Sequence, residues 1–290
     1  MHEAANKLLH AWLKKRLPST AFDWLQDQLA RNASDPTRKN LYLTLGMIPR
    51  RLGKDDLHLD SADLVAADNA RPGWDPRDWT VDTAARVLVL CEFGEEGEAF
   101  SRRFTELCRS GDVAEVIALY KGLPLYPAPE LLEAQAAEGV RTHIRPQFEA
   151  IAHHNPYPKE QFNERRWNNM VVKALFIDST LAPIQGLDER VNQDLAKTLC
   201  DYAHERWAAG RPVTPELWRC VGPFAKDEMI ADLERVLTEG NAMERKGAAL
   251  ALAASPEPRA AELLGTVKNL QAAIADGTLT WKSLDQEIRC

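Results

Sequence analysis

Prolines and glycines cut this chain into segments whose apolar residues recur every three or four positions, and no segment alternates with a period of two between hairpin turns. That punctuation limits the fold more than any other feature. "VDTAARVLVLCEF" stops at Gly94, "EEGEAFSRRFTELCRSG" at Gly111, "DVAEVIALYKGL" at Pro124 and "APELLEAQAAEG" at Gly139. Near the amino terminus, Thr20 with Asp23 resembles a capping box opening "AFDWLQDQLARN". Asp35 followed by Pro36 reads as a cap and a first-turn proline for "TRKNLYLTLGMI". Five further helical segments follow residue 188. The reading gives about fourteen helices and no strand, so the expected class is all-α.

Between Arg51 and Trp79 the pattern weakens into a stretch rich in Asp, Gly and Pro. It reads as a long connection holding one short helix, Ser61 to Asn69, and as the boundary between N-terminal helices (1–78) and a helical body (79–290). The two are expected to pack as one continuous domain.

A faint repeat refines the architecture. "AARVL" at 84, "VVKAL" at 171 and "AALAL" at 248 place small residues and a leucine in mid-helix, at spacings of 87 and 77 residues. Those spacings are near twice the roughly 40–47-residue period of HEAT and armadillo units. Small residues let an inner helix approach its neighbours closely. The expectation is a stack of antiparallel helix pairs, either a HEAT/armadillo-like right-handed α-solenoid or an irregular helical array.

The formal charge of −7 opposes nonspecific binding to nucleic acid, whose phosphates need a positive field. The longest apolar run, "VLVL" up to Cys91, is too short to span a bilayer, so no membrane insertion is expected. Five cysteines (Cys91, Cys108, Cys200, Cys220 and Cys290) form no C-x-x-C pair. With no signal-peptide order at the amino terminus, that usage fits reduced thiols in the cytoplasm. No Gly-rich phosphate loop, dinucleotide fingerprint or nucleophile elbow is present, and no cofactor is expected.

One stretch stands apart, "HHNPYPKEQFNERRWNNMVVKALF" from His153. "RPQFEAIAHHN" before it reads as a helix with Phe148, Ile151 and Ala152 facing inward. Pro156 and Pro158 cannot continue that helix, so Asn155 and Tyr157 are expected in an extended turn. The next helix, expected from Glu160 to Asp178, places Trp167, Met170, Val171 and Ala174 on one apolar stripe and Arg166, Asn169 and Lys173 beside it. His153, His154, Asn155, Tyr157, Asn169 and Lys173 thus offer donors, acceptors and a cation suited to a polar small molecule. The competing reading is a structural corner, with His153 at a helix end and Asn155 starting a turn.

Metal binding by His153 and His154 is disfavoured. Neighbouring histidines on one helix point about 100° apart, and neither His143 nor Glu149 completes a ligand spacing. Cys200 and His204, four apart, read as packing residues before a reactive pair. Arg219, set among Trp218, Cys220 and Val221, is expected in an ion pair or lining a groove.

"HHNPYP", a short spacer and "FNERRWNNMVVKALF" resemble the signature segment of the EboA family, through His153, His154, Asn155, Tyr157, Trp167, Asn168, Asn169 and Lys173. The resemblance implies a bacterial accessory protein of secondary metabolism, encoded beside a prenyltransferase-like membrane protein, a TatD-like hydrolase and proteins like dehydroquinate synthase and sugar isomerases. Such a set makes a cytosolic precursor or moves it toward the periplasm. It implies a role in metabolite traffic, with a small-molecule intermediate or other proteins of the cluster as partners. The expected function is a helical scaffold that binds an intermediate or partner without altering it. The alternative is an enzyme on a polar small-molecule intermediate with His153 or His154 as acid/base or metal ligand.

Overall fold

The computed structural model describes residues 2–34 and 39–289. The Asp35–Pro36 helix start and the Cys290 thiol lie outside the described residues. Nineteen α-helices and three short 3-10 helices occur among the described residues, with an isolated bridge between Asp56 and Thr80 and no strand. The protein is all-α. The helices outnumber expectation because several, such as Tyr157–Gln161, Leu187–Arg190 and Leu217–Val221, are too short for any period to register.

The chain divides into two compact units, Met1–Asn163 and Glu164–Cys290, each an irregular array of helices. In the first, helix Val81–Cys91 is buried at every position from Val81 to Leu90. A helix apolar nearly all round belongs inside a core. It also buries one ion pair, Arg86 Nη1 to Asp82 Oδ2 at 2.6 Å across a single turn. Removing two charges from water is expensive, and this short contact offsets the cost more than it adds stability. Phe100, Phe104, Tyr120 and Tyr126 pack with ring centroids between 5.4 and 6.4 Å apart. The close approach there needs Gly139, where a Cβ would stand 2.5 Å from Ile151 Cδ1.

The 51–79 connection lies within the first unit and carries helix Ser61–Ala70 behind an Asp60–Asp63 capping box. Trp12 donates its indole N–H to Asp63 Oδ1 at 2.8 Å, and Trp74 packs on both Trp12 and Trp79. The second helix starts at Ser19, not after Thr20: the Pro18 carbonyl accepts from Ala21 and Phe22, so Thr20 lies inside the first turn.

In the second unit, helix Ala242–Ala254 is buried from Gly247 to Leu252. A Cβ on Gly222 would stand 2.6 Å from the Ala251 carbonyl oxygen, so the 222 backbone rests directly on this helix. The small and leucine positions of all three repeated segments, Ala84 and Leu88, Ala174 and Leu175, Ala248 and Leu252, are buried within helices, the second pair in the last turn of its helix.

The proline corner corrects the sequence reading twice. Tyr157 is not extended: it opens the short helix Tyr157–Gln161, with Pro158 in the first turn, where a missing N–H leaves no bond unmade. The expected helix from Glu160 to Asp178 is two helices, Tyr157–Gln161 and Glu164–Phe176. Phe162 between them takes extended backbone (φ −73°, ψ 132°) and buries its ring edge-on to Tyr157.

Candidate functional site

Helix Arg145–Ala152 ends at His153, whose N–H still bonds to the Glu149 carbonyl. The chain then turns through His154, which holds a left-handed φ of 51°. Asn155, 3% exposed, ties the turn to its surroundings: Nδ2 donates to the carbonyls of Tyr120 (3.1 Å) and Ala150 (3.0 Å), and Oδ1 accepts from the Tyr157 N–H (3.0 Å). Tyr157 is fully buried, and its hydroxyl donates to the Pro129 carbonyl at 2.5 Å. His154 Nδ1 lies 3.2 Å from Asp75 Oδ2. Arg77 Nε meets the same carboxylate at 2.8 Å. Partial burial pushes the Asp75 carboxyl up, but hydrogen bonds from His154 and Arg77, and their charge, outweigh it and bring it down to about 2.

Beside this corner the first unit contains a hollow of about 340 Å³. Pro124, Leu125, Tyr126 and Pro129 form its apolar side, and Glu160 and Gln161 of the short helix form another wall. Arg71 spans the opening. It donates Nε to the Pro124 carbonyl at 3.0 Å and forks onto Glu160, Nη1 to Oε1 at 2.9 Å and Nη2 to Oε2. Pro129 belongs both to the hollow and to the Tyr157 hydroxyl bond, so the buried corner positions the wall of the cavity.

The remaining candidates belong to the second unit. Asn169 is exposed and Lys173 half-buried on helix Glu164–Phe176, whose Trp167, Met170, Val171 and Ala174 form the buried stripe expected of them. Asn168 exchanges hydrogen bonds with Asn192 at 3.1 and 2.9 Å. Arg219 makes a bidentate pair with Asp188, at 2.6 and 2.7 Å, and stands 3.6 Å from Asp285. Burial lifts the Cys200 thiol to about 12, and His204 is bonded to Asp232 at 2.8 Å, so the two do not form a reactive pair. Among the described residues no three His, Cys, Asp or Glu side chains are grouped to hold a metal ion.

Against known families, a model described as metabolite traffic protein EboA matches residues 5–222. The chain belongs to the EboA family. The match takes in the whole corner and its hollow, and this EboA family member continues beyond it from residue 223 to 290. No curated protein and no solved structure matches the chain. No helix among its described residues is long and apolar enough to cross a membrane.

Sequence reasoning found the corner of this EboA family member but missed Arg71, Asp75 and Glu160. Arg71 and Glu160 are 89 residues apart, and nothing local marks either one.

Proposed function

We propose that this protein is a metabolite-traffic accessory that binds a pathway intermediate in the hollow beside the proline corner and passes it on unchanged, alone or with a partner protein of the same cluster. One relationship carries the reading. Tyr157, a signature residue, is bonded to Pro129 on one wall of the hollow, and Glu160 and Gln161, which follow it in sequence, form another. Its volume of about 340 Å³ falls within the range of small-molecule sites. Asn155 and Tyr157 then act as frame, and Arg71, Glu160 and Gln161 meet the ligand.

The test is retention. Protein is incubated with the small-molecule fraction of cells carrying the cluster, separated by gel filtration and read by native mass spectrometry. A mass retained by the parent protein and lost in Gln161→Trp, which fills the hollow, supports the reading. No retained mass, together with no complex with other proteins of the cluster, overturns it.

A second reading rests on a separate observation. An imidazole held by a carboxylate, as His154 is by Asp75, is the arrangement used by acid/base histidines. It predicts that His154→Asn abolishes pathway output while the melting temperature is unchanged. Parallel loss of both would assign His154 a structural role.

A further inference from the structure

The hollow beside the corner restricts the chemistry of what it can hold. Ala5, Pro124, Leu125, Tyr126 and Pro129 give it an apolar wall, and Arg71, Glu160 and Gln161 supply polar groups. Among the described residues that line it, Arg71 and Glu160 are the only charged ones, and they are forked onto each other. Its charge is therefore balanced before any ligand arrives.

That balance is hard to undo. The guanidinium also donates Nε to the Pro124 carbonyl and Nη1 to the Pro72 carbonyl, each at 3.0 Å. The arginine side chain is 16% exposed and the glutamate 32%, so water screens the pair only in part. An anionic ligand would have to displace Glu160 from a bidentate contact or lie beside its carboxylate. A cationic ligand would meet Arg71 in the same way. Either exchange leaves one half-buried partner without its countercharge, which costs more than the new contact returns. An uncharged ligand leaves the pair intact.

The polar capacity that remains suits a neutral oxygen. The four bonds of Arg71 leave one Nη2 hydrogen for an acceptor, and the Gln161 amide can both donate and accept. The rest of the lining calls for an apolar body. Its walls are already fixed, with the Pro129 carbonyl held by Tyr157 and the Pro124 carbonyl by Arg71, so a ligand pays little to order them.

We infer that this hollow takes an uncharged ligand, an apolar ring-sized body that carries a carbonyl or hydroxyl oxygen. The assignment rests on the reading of the hollow as a binding site and narrows what that site accepts.

Four probes on one tolyl body separate the contributions: para-toluamide is neutral with an oxygen, para-toluate an anion, para-methylbenzylamine a cation, and para-xylene has no polar group. Binding to the full chain at neutral pH is followed by saturation-transfer NMR and calorimetry. Para-toluamide is expected to bind at least about tenfold tighter than either ion. It should exceed para-xylene by about two- to tenfold, the yield of one neutral hydrogen bond. Glu160→Gln keeps the shape of the wall and removes the countercharge of Arg71, so para-toluate should gain at least about tenfold while para-toluamide changes little. A melting curve verifies that this variant is folded, and the ranking in the parent chain decides by itself if it is not. Gln161→Trp should abolish binding of every probe. Either ion binding as tightly as para-toluamide, or no gain of para-toluate in folded Glu160→Gln, would overturn the uncharged class, and loss of binding in Gln161→Trp would then still uphold the site. No binding of any probe at millimolar concentration, or binding unchanged in Gln161→Trp, would overturn both.

Discussion

Asn155 donates its side-chain amide to the carbonyl of Tyr120, 35 residues earlier, at 3.1 Å. The same side chain holds the Ala150 carbonyl and the Tyr157 N–H, so it joins the end of helix Val113–Lys121, the last turn of helix Arg145–Ala152 and the start of helix Tyr157–Gln161. The corner is thus specified by polar bonds inside a dry environment, where an unmade bond costs more than a made one contributes. Asn155→Ala should therefore cost about 3 kcal/mol, because three buried backbone groups lose their partner. Urea denaturation measures it. A loss below about 1 kcal/mol would show that the turn closes without this side chain.

The Asp75 pair sets an acid limb on stability. Its carboxyl sits at about 2 in the folded protein against an ordinary 3.8. A depressed folded value stabilises fully above the unfolded value and is lost as pH falls from about 4 toward 2. Asp75→Asn should lower neutral-pH stability by roughly 1–2 kcal/mol and flatten the decline over that window. Thermal melts across the acid range read both effects, and an unchanged acid slope would rule the pair out.

Gly139 and Ile151 should be coupled. A methyl at 139 would stand 2.5 Å from Ile151 Cδ1, so Gly139→Ala is expected to cost about 1–3 kcal/mol through overpacking. Ile151→Val removes that Cδ1. The double variant should be more stable than the sum of the single losses, in part only, because the Tyr120 ring also crowds the site at 2.6 Å. Strict additivity in the denaturation cycle would contradict this packing.

Native thiols should be slow to react. Burial pushes Cys108, Cys200 and Cys220 up to about 12 and Cys91 higher still. In a Cys290→Ser protein, a chromogenic disulfide reagent at mildly alkaline pH should label these four only as fast as the chain opens. Rapid labelling of any one of them in the folded state would place that thiol at a reactive surface.

The helical class and the buried stripe of Trp167, Met170, Val171 and Ala174 were legible because each is a local, periodic signal. The corner was visible for a similar reason, since two histidines, an asparagine and two prolines in close succession break the pattern. What it does was not. Pro158 ends one helix by its chemistry and is equally suited to starting another, and only tertiary packing of Tyr157 and Phe162 decided between them. Arg71, Asp75 and Glu160 gave no sequence signal because their roles exist only after distant segments meet.

Gly222, resting on the Ala251 backbone, makes the end of the family match a poor place to cut the gene. A protein ending at residue 222 would strip helix Ala242–Ala254 from that contact and leave Trp218, Cys220 and Val221, all wholly buried in the intact chain, facing water. Recombinant work guided by family boundaries alone would then meet aggregation and mistake it for an intrinsic property of the fold. The tail beyond the shared region is part of the folding unit, and expression should carry it through its last helix.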